Sequence, residues 1–202
     1  MDLDALGRAP AWSAAEVALL PGRCRGSLLR DWAAHVARHW GGEAVARVRS
    51  RTGIDAARLP DAPARESWVP VWFQLALTRA IADEFAAGDL LALEPLIRED
   101  AARTPDRWID RVVRLALTPQ RILRATPKVY GALYDLGHAD AEVGAREATV
   151  RWSGAAFMRE PTWRTMQAFA VRAMFTTLNR PAPVITAFEA GPGAFGLTAR
   201  WG

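Results

Sequence analysis

The chain holds one cysteine, two tyrosines and three histidines in 202 residues, and each scarcity closes off a class of function. A lone Cys24 can neither pair within the chain nor build a thiolate metal centre, so disulfide frameworks and zinc fingers are excluded. No apolar run approaches the roughly 18 residues that a membrane-spanning helix needs. The opening Met1-Asp2-Leu3-Asp4 is acidic where a secretory leader would be basic. A soluble, cytoplasmic protein is the expectation. Catalytic signatures are missing as well: there is no Gly-x-Ser-x-Gly elbow, no Gly-x-x-x-x-Gly-Lys phosphate loop and no His-Glu-x-x-His pair. No catalytic residue is assigned, and an enzyme has no support.

Lysine is the other scarcity. Lys128 is the only one, so arginine supplies 25 of the 26 basic residues. Arginine's very high pKa explains how an isoelectric point near 10.1 coexists with a net charge of only +4. Acidic residues are interspersed throughout and no block of like charge appears, which argues against a nucleic-acid partner.

What is present is hydrophobic and periodic. Half of the residues are hydrophobic and nine are tryptophan, enough for one well-buried core. Residues 1–25 read as an N-terminal extension and 26–202 as a single domain. Ser13-Ala14-Ala15-Glu16 has the spacing of a capping box, placing a short helix over 13–20 before Pro21-Gly22. Ser27 is positioned to cap a second helix through Trp40, with Leu28, Leu29, Trp32, Val36 and Trp40 on one broad face. Helices over 43–51, 67–87, 90–102, 105–117 and 119–134 follow, the last bent at Pro127; Thr104-Pro105 and Thr118-Pro119 each put a cap before a proline.

From His138 the period changes from 3.6 to 2. Ala139, Ala141 and Val143 alternate with polar residues, as do Ala148, Val150 and Trp152, giving an amphipathic hairpin. After a helix over 161–179, strands over 184–189 and 195–201 form a second hairpin across Gly191-Pro192-Gly193, with Phe195, Leu197, Ala199 and Trp201 on one face. The fold class read from this is α+β: N-terminal helices packed with a C-terminal four-stranded antiparallel sheet, one long helix lying between its two hairpins.

Leu117-Thr118-Pro119, Ile122-Leu123-Arg124, Tyr130, Leu133-Tyr134-Asp135 and Gly137, followed by the 147–152 strand, the 161–179 helix and Phe195-x-Leu-x-x-x-Trp201, resemble an uncharacterised family of proteins of this length found in myxobacteria. The resemblance runs from Gly26 onward and is strongest after Pro105. That family is in turn similar to a wider group: the vinyl-reductase-type sensor domain, the heme-nitric-oxide-binding domain and vesicle-tethering complex subunits. The resemblance implies helices on a twisted antiparallel sheet that hold a small hydrophobic ligand or a partner. Two departures limit what carries over. The heme branch uses a proximal histidine and a Tyr-x-Ser-x-Arg clamp for the porphyrin, and the clamp is absent; the sensor branch holds zinc with cysteines near its last strands, and 191–201 has none. No cofactor is expected.

His35 and His39 stand four apart on a helix, within reach of one divalent ion. A third ligand is wanting, with Asp31 near and His138 in another element, so no metal is assigned and the pair reads as helix-edge histidines beside Trp32 and Trp40. Arg107, Arg111 and Arg114, with Arg121 and Arg124, recur at helical spacing, but interleaved Asp106 and Asp110 make this a solvated face. The 161–179 helix is apolar round most of its circumference. It is either a core helix between sheet and helical layer, or its aromatic and methionine side chains line an apolar cavity or a homodimer interface. On the cavity reading the ligand-binding residues are Trp163, Met166, Ala170, Met174 and Trp152, in a space between that helix and the sheet. The function expected is a non-catalytic sensor or adaptor for a small apolar ligand; the alternative is a protein-interaction module acting as a dimer without ligand.

Overall fold

A computed structural model describes residues 1–55, 59, 63–102 and 118–202. Asp2 caps α1 (Leu3–Gly7), its carboxylate accepting from Ala5 N at 2.8 Å. The expected capping box is present on α2 (Ala14–Ala18), where Ser13 Oγ accepts from Glu16 N at 3.3 Å and Glu16 accepts in return from Ser13 N at 2.8 Å. The chain then makes a short strand, β1 (Arg23–Arg25), α3 (Gly26–Trp40) and α4 (Gly42–Arg51). Ser27 does not cap α3. The first amides of that helix are satisfied by a facing loop, Gly26 N donating to Ser67 O at 2.8 Å and Ser27 N to Arg65 O at 3.1 Å.

The helix expected from Ser67 starts late. Residues Trp68–Pro70 form β2, antiparallel to β1 with Cys24 opposite Val69, and α5 (Val71–Phe85) begins only after them. Proline explains the shift, because it pushes the residue before it out of helical backbone into the extended region. The ribbon seals Cys24, which is fully buried, and burial pushes its thiol up to about 12, so it is an inert core group. Trp40 stacks on Phe85 at 4.0 Å and joins α3 to α5. A 3-10 turn (Leu90–Leu93) leads into α6 (Glu94–Ala102). The expected helix over 105–117, with Arg107, Arg111, Arg114, Asp106 and Asp110, lies outside the described residues.

Thr118 caps α7 (Pro119–Arg124), and the bend expected at Pro127 is a break at Ala125 before α8 (Thr126–Leu133). Two hairpins follow, β3 (His138–Val143) with β4 (Glu147–Ser153) and β5 (Val184–Gly191) with β6 (Ala194–Arg200), joined through α9 (Pro161–Thr177). The sheet order is β3-β4-β6-β5, antiparallel throughout, with Trp152 opposite Phe195 and Val150 opposite Leu197. Near the chain start, Ala187 N donates to Met1 O at 2.7 Å, so the first residues lie along the outer strand and cover part of its edge.

Helices packed on a four-stranded antiparallel sheet give the α+β class expected. Alternate residues Ala148, Val150, Trp152, Phe195, Leu197 and Ala199 are buried on one face of the sheet. Trp163 of α9 descends onto them, edge to face with Trp152 at 5.9 Å and with Phe157 at 5.6 Å. Each such side chain contributes about 1.5–3 kcal/mol by burial. No helix among the described residues is long and apolar enough to cross a membrane.

Candidate functional site

The packing of α9 decides where a ligand can go. Trp163, Phe169, Val171 and Phe175 are buried, and Trp152, Trp163 and Phe195 fill the space between the helix and the sheet with rings 5.7–6.4 Å apart. Where a cavity was expected between α9 and the sheet, three large buried aromatic side chains pack against one another. Trp152 and Trp163 belong to the core. Met174, half-buried farther along α9, stands outside the pocket described next.

Met166 and Ala170 lie on the other side of α9 and line a pocket of about 280 Å³ against the helical layer. Leu28, Asp31, Trp32 and His35 form one stripe of α3 at helical spacing, Gln74 comes from α5, Ile97 and Asp100 from α6, and Leu133 and Tyr134 from the end of α8. Leu28, Trp32, Ile97 and Leu133, together with Met166 and Ala170, make an apolar wall. Polar side chains share the lining, among them Gln74, Tyr134, Gln167, His35 and Asp100. Gln74 is buried and accepts from the Tyr134 hydroxyl at 3.1 Å. Burial pushes the Tyr134 hydroxyl up to about 12, so it remains a neutral donor at physiological pH.

On the same pocket lining, α6 brings Asp100 to the two histidines of α3. Asp100 Oδ2 lies 2.6 Å from His35 Nδ1 and Oδ1 lies 3.1 Å from His39 Nε2, while the Arg38 guanidinium also pairs with Oδ1. The imidazoles sit 4.7 Å apart, and Trp32 and Trp40 enclose His35 edge-on at 5.3 and 5.7 Å. Burial lowers the pKa of His35 against the opposing pull of Asp100, which keeps the ring neutral. Burial works against the Asp100 carboxylate, yet hydrogen bonds from His35 and Arg38 hold it below the usual aspartate value. His35 Nε2 is buried without a hydrogen-bond partner among the described residues.

Asp100 is the residue the sequence reading missed. Asp31 borders the pocket but is exposed and pairs with Arg65 at 3.7 Å, and His138 is exposed at the sheet edge, 2.9 Å from Ser153 Oγ. Neither joins the histidine pair. Asp100 is 61 and 65 positions from its partners, and nothing in local spacing marks it. Arg124 is exposed on α7. A larger cleft of about 610 Å³ between α2 and α5 carries Arg79, Asp83 and Glu160 but no such donor cluster among the described residues.

Seen as a whole, helices on this four-stranded sheet superpose on solved structures. An Fe(II) unliganded H-NOX protein from K. algicida matches with a TM-score of 0.59 at 10% identity, over 88% of this chain and 96% of its own. A point mutant of that protein matches with a TM-score of 0.61, again at 10% identity and the same coverage. The fold is H-NOX-like. A point mutant of T. tengcongensis H-NOX has a TM-score of 0.54 at 10% identity, over 88% of this chain and 97% of its own. No family model matches the sequence, and no curated protein matches it significantly.

One such H-NOX structure is described by its heme, and the pocket lined by Met166 and Ala170 does not suit that group. Its 280 Å³ lies below the ~300–1,000 Å³ of pockets for drug-sized ligands, and a tetrapyrrole exceeds the smallest of those. Porphyrin carboxylates need cations, yet among the described residues the pocket lining includes Asp31 and Asp100 and no lysine or arginine. Of the three histidines, His35 and His39 face Asp100 and His138 lies elsewhere.

Proposed function

We propose that this chain is a non-catalytic sensor or adaptor domain that takes a small, mostly apolar molecule with one polar group into the pocket between α9 and the helical layer. The observation that carries this reading is the pocket's polarity. Leu28, Trp32, Ile97, Leu133, Met166 and Ala170 supply an apolar lining, and the neutral His35 and Tyr134 with Gln74 and Gln167 supply a few polar groups within it, the mixed lining of a concave ligand site. The H-NOX-like fold supports it, since the same frame is seen in the Fe(II) unliganded H-NOX protein from K. algicida, whose unliganded form implies a liganded one as well. The occupant here is smaller than a heme, and a change in the packing of α9 passes the signal by contact to whatever the domain touches.

Titration with prodan, a neutral environment-sensitive dye, tests this. Saturable fluorescence enhancement is expected, abolished in Ala170→Trp with the fold intact, because an indole entering an existing void finds room where overpacking a filled core costs ~1–3 kcal/mol. Absence of saturable binding together with a destabilised Ala170→Trp would overturn the reading. If sedimentation then showed a dimer, the function would pass to a protein-interaction module.

A further inference from the structure

The His35, His39 and Asp100 cluster, two of whose members line the pocket, can do more than hydrogen-bond. We propose that these three side chains bind a divalent first-row transition-metal ion. Their donor atoms all lie within 4.8 Å of one another. Tetrahedral ligands at metal distances of about 2.0–2.2 Å sit about 3.4 Å apart, so small side-chain adjustments close the site. Two imidazoles at i and i+4 on one helix face, with a carboxylate from a second helix, form a donor set suited to zinc or iron(II) that leaves coordination positions open.

The cluster by itself is one partner short. With Nδ1 protonated and donating to Asp100, the buried Nε2 lone pair of His35 has no donor. With Nε2 protonated instead, that N–H has no acceptor and the Nδ1 lone pair faces a carboxylate oxygen at 2.6 Å, acceptor against acceptor. A metal ion held by His35 Nδ1, His39 Nε2 and Asp100 takes up the Nδ1 lone pair that otherwise faces the carboxylate in this second tautomer, and so removes the clash of acceptor against acceptor. Arg38 competes for Asp100, but its side chain is 42% exposed and ion pairs of that kind are weak, so the guanidinium can give way to the ion. His35 and Asp100 also line the pocket, so the ion would border it. The site stands on its donor set and does not depend on what fills the pocket.

Chelator-treated full-length protein titrated with Co(II), followed by visible d–d absorption, provides the test. One equivalent should bind and be displaced by Zn(II). His39→Gln and Asp100→Asn should each weaken binding roughly 100-fold, while His138→Gln leaves it unchanged. Arg38→Ala, an exposed change that spares the fold, should tighten binding severalfold. No Co(II) spectrum, or an affinity unaltered by His39→Gln, Asp100→Asn and Arg38→Ala alike, overturns the site. Prodan binding by the metal-free protein separates the two readings: Co(II) without prodan retains the metal site and removes the apolar ligand, and prodan without Co(II) does the reverse.

Discussion

The Tyr134 hydroxyl donates to Gln74 Oε1 over 3.1 Å, and this bond joins the end of α8 to α5 where both line the pocket. Gln74 is buried, so removing its donor strands a polar oxygen away from water. Tyr134→Phe keeps the ring stacked on Tyr130 at 5.0 Å and deletes only the hydroxyl. A loss of about 1–3 kcal/mol is expected in urea denaturation, and an unchanged midpoint would show that Gln74 finds another partner.

Gly137 connects α8 to the sheet with φ of +79°, and a Cβ there would meet Ser153 O at 2.8 Å as well as the Met158 methyl. The left-handed backbone alone costs a side chain about 1–2 kcal/mol, and the clash with a strand carbonyl cannot be relieved by a rotamer change. Gly53 has φ of +66° but open space around it, so it isolates the conformational cost. Gly137→Ala should destabilise the protein more than Gly53→Ala in thermal melts. Equal losses would mean that the turn at Gly137 relaxes.

Acid should weaken the fold through His35. Its ordinary pKa is 6.5 and burial lowers it in the native state, so below that value the unfolded chain takes up a proton that the folded protein resists. Stability attributable to His35 is therefore full above about pH 6.5 and declines as the pH falls through the window beneath it. Denaturation of the parent and His35→Gln at about pH 7.5 and about pH 5.5 measures this. The parent should lose more stability on acidification than the variant, and a parent that gains relative to His35→Gln would reverse the assigned sign.

Legibility in the sequence followed the range of the interaction. The Ser13 and Glu16 box, the Thr118 cap and the break near Pro127 are set within four residues or fewer and appear as read. Alternation over 138–152 and 195–199 placed the correct residues on the buried face because strand side chains alternate with period two. The ribbon between Arg23–Arg25 and Trp68–Pro70 was hidden because helical periodicity in 67–87 outweighed the local effect of Pro70. For α9 the apolar circumference correctly implied burial on more than one side. It could not say which side was filled, and Trp152, Phe195 and Trp163 took the sheet side. Asp100 was out of reach, since its meeting with His35 depends on how α6 crosses α3.

The last strand offers a graded test of docking. Phe195, Leu197 and Ala199 are buried, whereas Trp201 just beyond β6 is half-buried, its ring 5.4 Å from Phe175 of α9 and its N–H donating to Arg146 O at 3.0 Å. Full truncation of a buried aromatic costs ~3–5 kcal/mol, so a half-buried one should cost less. Trp201→Ala is expected to lose about 1–2 kcal/mol. Ending the chain after Ala199 should lose more, because it also removes the Arg200 pairing with Glu147 and Val184 and the Trp201 backbone bond. Thermal melts of the two variants should therefore rank parent, Trp201→Ala and truncation in falling order. A truncated chain that melts with the parent would show that the strand is held by Phe195 to Ala199 alone.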